Sequence, residues 1–136
     1  MPVFFDTNVL VYCTDTTAPK KQARARELVA HMTAAGEAVV STQVLIELFH
    51  TVLRKQKMPP ATAQTLTLAC SAWPVIHSDA ALVQAAIGKS IAHRLSIWDA
   101  MVIEAALRAD AHTLYTEGLS HGQLFGKLAV VNPFVE

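Results

Sequence analysis

Short apolar runs alternate with segments of helical periodicity along the whole chain, and this alternation limits the possible folds more than any other feature. The runs are rich in β-forming residues and cover residues 3–5, 38–40, 73–76, 113–116 and 129–131. The segments with apolar side chains at helical intervals cover residues 20–34, 43–55, 61–71, 80–93 and 98–109. Short, continuous apolar runs are typical of strands buried on both faces of a parallel sheet.

Strands that alternate with helices of this length need crossover connections, which produce a mainly parallel sheet covered on both faces. We therefore predict an α/β fold, an α/β/α sandwich around a central, mainly parallel sheet of about five strands. A length of 136 residues is typical of one domain, and the sequence contains no repeat, linker or low-complexity stretch. Residues 1–136 are accordingly predicted to form a single domain.

Four acidic residues lie where strands end or helices begin. Asp6 closes the first predicted strand, Glu47 is near the start of the helix after the second, and Asp99 is in the first turn of a helix that begins near Ser96. Glu117 directly follows the fourth strand. Carboxyl ends of parallel strands and adjacent helix starts meet at one sheet edge, so these acids are expected to converge. Because clustered carboxylates repel each other, an oxygen-only set of this kind favours Mg²⁺ or Mn²⁺.

Three of these acids also have a purely structural interpretation, whereas Glu117 alone indicates little. Asp6 could cap the next helix through its side chain, and Ser96 with Asp99 fits a capping box. Glu47 interrupts a helix that is otherwise apolar nearly all round, and its carboxylate could extend to the surface beside His50. Burial of an unpaired carboxylate costs several kcal/mol, which favours a metal or a cationic partner for Glu47.

The net charge is zero, from 11 basic and 11 acidic residues, so no global attraction to nucleic acid is expected. The basic residues are nevertheless concentrated in two clusters, which are Lys20, Lys21, Arg24 and Arg26, and Arg54, Lys55 and Lys57. One interpretation is a pair of solvated helix faces. The other is a pair of phosphate-binding patches beside the acidic site, with RNA contacts at Lys20, Lys21, Arg24, Arg54 and Lys55.

The sequence predicts a cytoplasmic protein that does not enter a membrane. No apolar stretch approaches the ~18 residues of a membrane span, and Asp6 and Asn8 interrupt the apolar N-terminal run. Two cysteines far apart in the chain, Cys13 and Cys70, are expected to be buried, reduced thiols.

Five stretches of the sequence together resemble the PIN-domain ribonucleases, especially the VapC-type toxins of bacterial toxin–antitoxin pairs. In chain order they read FFDTNVLVY, VVSTQVLIELF, SIWDAMVIEAAL, LYTEGLSHGQ and VVNPF. No single stretch is decisive, but their order and spacing are specific, and the resemblance runs almost from end to end.

The resemblance implies a PIN-like α/β/α fold and an acidic pocket that binds Mg²⁺ or Mn²⁺. Asp6, Glu47 and Asp99 would be the catalytic and metal-binding carboxylates, and Asn8 and Thr116 would support the pocket through hydrogen bonds. Glu117, one residue before the position of the family's remaining acid, is predicted as a further metal ligand through its longer side chain, with the alternative that it points away from the pocket. The implied activity is endoribonuclease cleavage by a metal-activated water. The implied partners are an RNA substrate, a small cognate antitoxin and a second copy of the chain in a homodimer.

One departure from the family pattern keeps an alternative open. The family usually has Thr or Ser, any residue and then Asp after the fourth strand, whereas this chain has Thr116, Glu117 and Gly118. The alternative function is therefore a catalytically weak or silent PIN-fold module that binds RNA or protein. A phosphotransfer or phosphatase domain fits the predicted sheet but lacks the further conserved groups that such domains need.

Overall fold

The computed structural model describes residues 1–135 and contains a six-stranded sheet with helices packed on both faces. The strands are β1 (Val3–Phe5), β2 (Ala38–Ser41), β3 (Val75–Ile76), β4 (Thr113–Tyr115), β5 (Leu124–Phe125) and β6 (Leu128–Val131). The helices are α1 (Thr7–Tyr12), α2 (Pro19–Ala34), α3 (Thr42–Lys55), α4 (Pro60–Cys70), α5 (Ala80–His93) and α6 (Ile97–Arg108).

The sheet has the strand order β3-β2-β1-β4-β6-β5, and every neighbouring pair is parallel except β5 with β6. The first strand is central, with Val3 opposite Ala38 on one side and Thr113 on the other. All three residues of β1 are fully buried, because helices cover both faces of the sheet. The predicted α/β sandwich with a mainly parallel sheet is confirmed.

The five predicted strands and five predicted helices are all present. Two short elements were not predicted. Helix α1 follows β1 directly, and its six residues are too few to show a helical repeat in the sequence. Strand β5 has only two residues and forms a hairpin with β6, across a turn in which Gly126 has φ +60°. Such a φ favours glycine, but a two-residue strand shows no alternation that sequence analysis could detect.

The order of the strands determines which chain segments meet. Because β2, β1 and β4 are parallel neighbours, the residues that follow them lie side by side at the carboxyl edge of the sheet. Helix α3 begins at this edge directly after β2. Helix α6 precedes β4 and runs antiparallel to it, so its first turn also lies there. This edge is the expected position of a ligand site in a parallel sheet.

In the described part of the chain, residues 1–135, no helix combines the length and the apolar character needed to cross a membrane. Cys13 and Cys70 are both free thiols, Cys70 buried and Cys13 partly buried. Burial raises the pKa of each thiol to about 11, so both are protonated and unreactive at neutral pH.

Candidate active site

A cleft of about 400 Å³ opens at the carboxyl edge of the sheet. The four predicted carboxylates, from Asp6, Glu47, Asp99 and Glu117, all line it. They come from four separate elements of the chain, and the crossover topology brings them together. The predicted convergence of the acids at one sheet edge is therefore present in the structure.

Asp6 lies at the floor of the cleft and is 8% exposed. One carboxylate oxygen accepts a hydrogen bond from the Thr7 backbone N–H at 2.7 Å, so Asp6 caps α1. The other oxygen accepts the Thr116 hydroxyl at 2.8 Å and, at 3.4 Å, the Asn8 side-chain amide. Asn8 also donates to the Thr116 hydroxyl oxygen at 3.1 Å. Asn8 and Thr116 are thus placed to orient Asp6, and Asp6 both caps a helix and faces the cleft.

Burial raises the pKa of Asp6 from its ordinary value of 3.8 to about 6. The hydrogen bonds from Thr116 and Thr7 act in the opposite direction, and the negative charges of Glu47 and Asp99 add to the increase. In the ion-free protein Asp6 consequently loses its proton at a pH near its raised pKa of about 6, so part of the population is still protonated in mildly acidic solution. A cation that enters the cleft would displace that proton.

We expect the carboxyl carbon of Asp6 to titrate near pH 6 in NMR spectra of the ion-free protein, because burial disfavours its charged form. Glu47→Gln should lower this midpoint by removing one of the repelling charges. Glu104→Gln should not, since Glu104 pairs with Lys89 outside the cleft. An Asp6 midpoint near pH 4 in the wild type would contradict the burial argument.

Glu47 faces the cleft because two side chains hold it there. The Gln43 amide, one helical turn earlier in α3, donates to Glu47 Oε1 at 2.8 Å, and the Thr7 hydroxyl donates to Oε2 at 3.1 Å. Gln43 also donates to the Trp98 carbonyl oxygen at 3.3 Å and so connects α3 to α6. Glu47 therefore has two hydrogen-bond donors and no cationic partner among residues 1–135.

Asp99 lies in the first turn of α6, which Ser96 caps, and its side chain faces the cleft. Its backbone N–H donates to the Ser96 side-chain oxygen at 3.1 Å, which makes Ser96 the N-cap of α6. Its side chain lines the cleft and is close enough to Asp6 for its charge to raise the Asp6 pKa. Ser96 capping thus fixes the first turn of α6 and with it the position of the Asp99 carboxylate.

Glu117 also lines the cleft, but its carboxylate is bound by two other side chains. Lys21 Nζ donates to Oε2 at 2.9 Å and the Tyr12 hydroxyl donates to Oε1 at 2.6 Å. The hydrogen bond with Glu117 raises the pKa of both Tyr12 and Lys21, because each donor is held in its protonated form. The metal-binding role predicted for Glu117 would require these contacts to be exchanged for the ion.

The predicted RNA-contacting residues are spread over different surfaces. Lys55 lines the acidic cleft at the far end of α3, whereas Arg54 is exposed and is not part of the cleft wall. Lys20, Lys21 and Arg24 border a separate hollow of about 240 Å³ near the end of the described chain. Arg24 is further held by the Pro133 carbonyl oxygen at 3.1 Å. Within the predicted set, Lys55 lines the acidic cleft itself, and Lys21 contacts one of its acids, Glu117, from the side of the other hollow.

The carboxylates of the cleft have the chemistry that a hard divalent cation prefers, but in the described part of the chain they do not form a preassembled cage around one. The carboxylates of Asp6, Glu47 and Asp99 are the oxygen ligands that Mg²⁺ and Mn²⁺ prefer. Within residues 1–135, however, no three His, Cys, Asp or Glu side chains form a ready-made metal cage. Mg²⁺ is usually held by one or two carboxylates, waters and substrate phosphates, and the spaced carboxylates of this cleft match that mode.

Several residues that shape the cleft were not predicted from the sequence. Thr7 and Gln43 orient Glu47, Tyr12 binds Glu117, and Asp15 and Trp98 form parts of the wall. The four-residue spacing of Gln43 and Glu47 within one helix was a detectable indication, since residues at that spacing lie on the same face. The remaining contacts join residues far apart in sequence, for which a single sequence carries no indication.

Comparisons with known proteins agree with this architecture. The family model for the PIN domain matches residues 3–120. A search of curated protein sequences finds no significant match. A toxin-antitoxin complex from Klebsiella pneumoniae shares the fold with a TM-score of 0.71 and 16% identity, covering 97% of this chain and 98% of the other.

Two further solved structures are similar over most of their length. VapBC from Salmonella typhimurium, described as DNA bound, has a TM-score of 0.66 and 16% identity, covering 96% of each chain. VapC20 from Mycobacterium tuberculosis, described as a sarcin-ricin loop cleaving toxin, has a TM-score of 0.59 and 17% identity, covering 82% of this chain and 86% of the other. At these identities the similarity establishes the shared fold.

Proposed function

Because the chain belongs to the PIN-domain family, we propose that it is a metal-dependent endoribonuclease, the toxin of a toxin–antitoxin pair. The observation that carries this proposal is the convergence of Asp6, Glu47 and Asp99 on one cleft, with Lys55 at its end. Carboxylates that repel each other without a cation are typical of sites that bind one. A cleft open to solvent suits a polymeric substrate.

In this proposal Asp6, Glu47 and Asp99 hold one or two Mg²⁺ or Mn²⁺ ions. Such an ion, when bound, lowers the pKa of water and stabilises charge on phosphate oxygens. The chain itself orients the carboxylates: Thr116 and Asn8 hold Asp6, and Thr7 and Gln43 hold Glu47. Lys55 attracts the phosphate backbone into the cleft.

The test is cleavage of a structured RNA by the purified chain with Mn²⁺ or Mg²⁺ and with excess EDTA. We expect cleavage only with the ion, and a loss of at least about a hundredfold for Asp99→Asn, since metal stabilisation contributes several kcal/mol to such reactions. Glu104→Gln is the matched control, because Glu104 is on the same helix but pairs with Lys89 away from the cleft. Equal rates for wild type and Asp99→Asn would refute the proposed mechanism.

Gly118 and the contacts of Glu117 support a second candidate, a catalytically weak or silent PIN-fold module that binds RNA or protein. Glu117 is bound by Lys21 and Tyr12, and position 118 carries no carboxylate. Calorimetry with Mn²⁺ separates the two candidates. The nuclease should bind the ion and lose binding in Asp99→Asn, whereas a silent module should show little binding in either protein.

The proposed partners follow from the toxin assignment. Toxin-antitoxin complexes are among the solved structures that share the fold, which supports a cognate antitoxin that covers the cleft. We also propose a cytoplasmic homodimer. Light scattering of the purified chain measures its molar mass directly, and a monomer at micromolar concentration would contradict the dimer.

A further inference from the structure

A second hollow of about 640 Å³ adjoins the acidic cleft and shares part of its wall. It is lined by Ile46, Glu47, His50, Thr51 and Trp98. Glu47, Thr51 and Trp98 also line the acidic cleft. The two hollows therefore adjoin along these three residues, and a ligand that crosses them could occupy both at once.

Large apolar side chains form the open side of this hollow. Trp98 is 65% exposed and Ile46 is 69% exposed, although most apolar side chains of α3 and α6 are buried in the core. The backbone of Trp98 is nevertheless fixed: it lies in the first turn of α6, and its carbonyl oxygen accepts a hydrogen bond from Gln43. An aromatic ring is thus presented to solvent from a rigid support at the edge of the cleft.

The charge of the side chains on α3 changes from one end of the two adjoining hollows to the other. Glu47, Thr51 and Lys55 are spaced by four residues, so they lie on one helix face, and all three line the acidic cleft. Gln43 places Trp98 near the start of α3, whereas Lys55 ends the helix about 12 Å beyond Glu47 at ~1.5 Å per residue. A ligand along this face meets an aromatic ring, then carboxylates, then a cation.

We propose that an unpaired nucleobase of the substrate stacks on Trp98 in this hollow, while the adjoining phosphates lie along α3 towards Lys55. Single-stranded nucleic acid alternates flat rings with anionic groups, and its bases characteristically stack on exposed aromatic side chains. His50 and Thr51 supply polar groups for the edge of the base. The inference rests on the proposed function and assigns Trp98 as the residue that holds an unpaired base, since the bases of a duplex are already stacked on each other.

Binding measured with Ca²⁺ in place of Mg²⁺ or Mn²⁺ tests this inference, because a divalent cation offsets the repulsion between the cleft carboxylates and the phosphates. Recovery of intact strands after each titration shows that no cleavage has occurred. The probes are a short oligouridylate, the same strand annealed to oligoadenylate, and inorganic polyphosphate, which carries charge but no bases. Trp98→Ala should weaken oligouridylate binding by about 10- to 100-fold and leave polyphosphate binding nearly unchanged, since stacking is lost and charge is retained. Trp98→Phe should keep most of the affinity, and the duplex should bind weakly to every variant.

Leu68→Ala is the matched control, because Leu68 is 64% exposed on α4 and lines neither hollow. Fluorescence supplies a second measurement. The chain has two tryptophans, and in a Trp73→Phe background only Trp98 remains. Its emission should be quenched by oligouridylate and not by polyphosphate.

Three results would overturn the inference: unchanged oligouridylate binding in Trp98→Ala, an equal loss for polyphosphate, or no RNA binding by the wild type. A fall in molar mass for Trp98→Ala in light scattering would also overturn it, because Trp98 would then be covered by a second copy of the chain. The proposed nuclease function can fail separately. A wild type that binds oligouridylate through Trp98 but cleaves no RNA refutes the nuclease and keeps the stacking site.

Discussion

Asp6→Asn is expected to reduce RNA cleavage by on the order of a thousandfold, because it removes the central carboxylate of the proposed metal site. The replacement keeps the size of the side chain, and its amide oxygen can still accept the Thr7 N–H that caps α1. The loss should therefore come from the missing charge rather than from a disturbed fold. Cleavage of a structured RNA with saturating Mn²⁺ measures it.

The same substitution should stabilise the ion-free protein at neutral pH. The folded-state pKa of Asp6 is about 6, above its ordinary 3.8, so the folded protein binds this proton more tightly than the unfolded chain. Stability therefore falls as pH rises from about 4 to about 6, and above that the buried charge costs up to about 3 kcal/mol. Asp6→Asn removes this cost but disturbs the Thr116 hydrogen bond, so the expected net gain is about 1 to 2 kcal/mol.

Urea unfolding in EDTA at about pH 7.5 and about pH 4 measures this gain. At the lower pH the gain should largely vanish, because Asp6 is protonated in the folded wild type and mostly so in the unfolded chain. Glu104→Gln is the control and should show neither effect on cleavage nor a gain in stability. A variant that is less stable than the wild type at both pH values would mean that Asp6 is mainly a structural cap.

Gly118→Asp is expected to tighten Mn²⁺ binding by about tenfold or more, since a further carboxylate beside a divalent ion contributes at least about 1.4 kcal/mol. A Cβ at position 118 would lie 3.5 Å from Thr116 Oγ1 and 3.7 Å from Asn8 Nδ2, which are ordinary contacts. The position also lacks a positive φ, so the backbone accepts a side chain there. The added carboxylate would be directed toward the two residues that orient Asp6.

Calorimetry with Mn²⁺ measures this change, and Gly118→Asn controls for the added side chain without its charge. In EDTA the Gly118→Asp protein should be less stable than Gly118→Asn, because a further anion repels Asp6, Glu47 and Asp99. The effect on ion-free stability is thus opposite in sign to that of Asp6→Asn. Equal Mn²⁺ affinity in Gly118→Asp and Gly118→Asn would show that position 118 does not face the ion.

The sheet and the positions of its acids were predictable from the sequence. Strands buried on both faces are mostly apolar, so the runs at residues 3–5 and 38–40 stand out among amphipathic helices. The alternation of strands and helices then implies a parallel sheet, and a parallel sheet places Asp6 and Glu117 at the same edge. These conclusions depend only on local composition and chain order.

The tertiary structure decided how each acid is used. Glu47 is turned into the cleft by Thr7, and Glu117 is bound by Lys21 and Tyr12, through contacts between residues that are 40, 96 and 105 positions apart. The sequence by itself determined the fold class and the sheet edge where the carboxylates meet. Strands and helices are each recognisable from the apolar pattern of a few neighbouring residues, and their order along the chain implies a parallel sheet. Which partner each carboxylate takes depends on side chains brought together by folding, and that choice appears only in three dimensions.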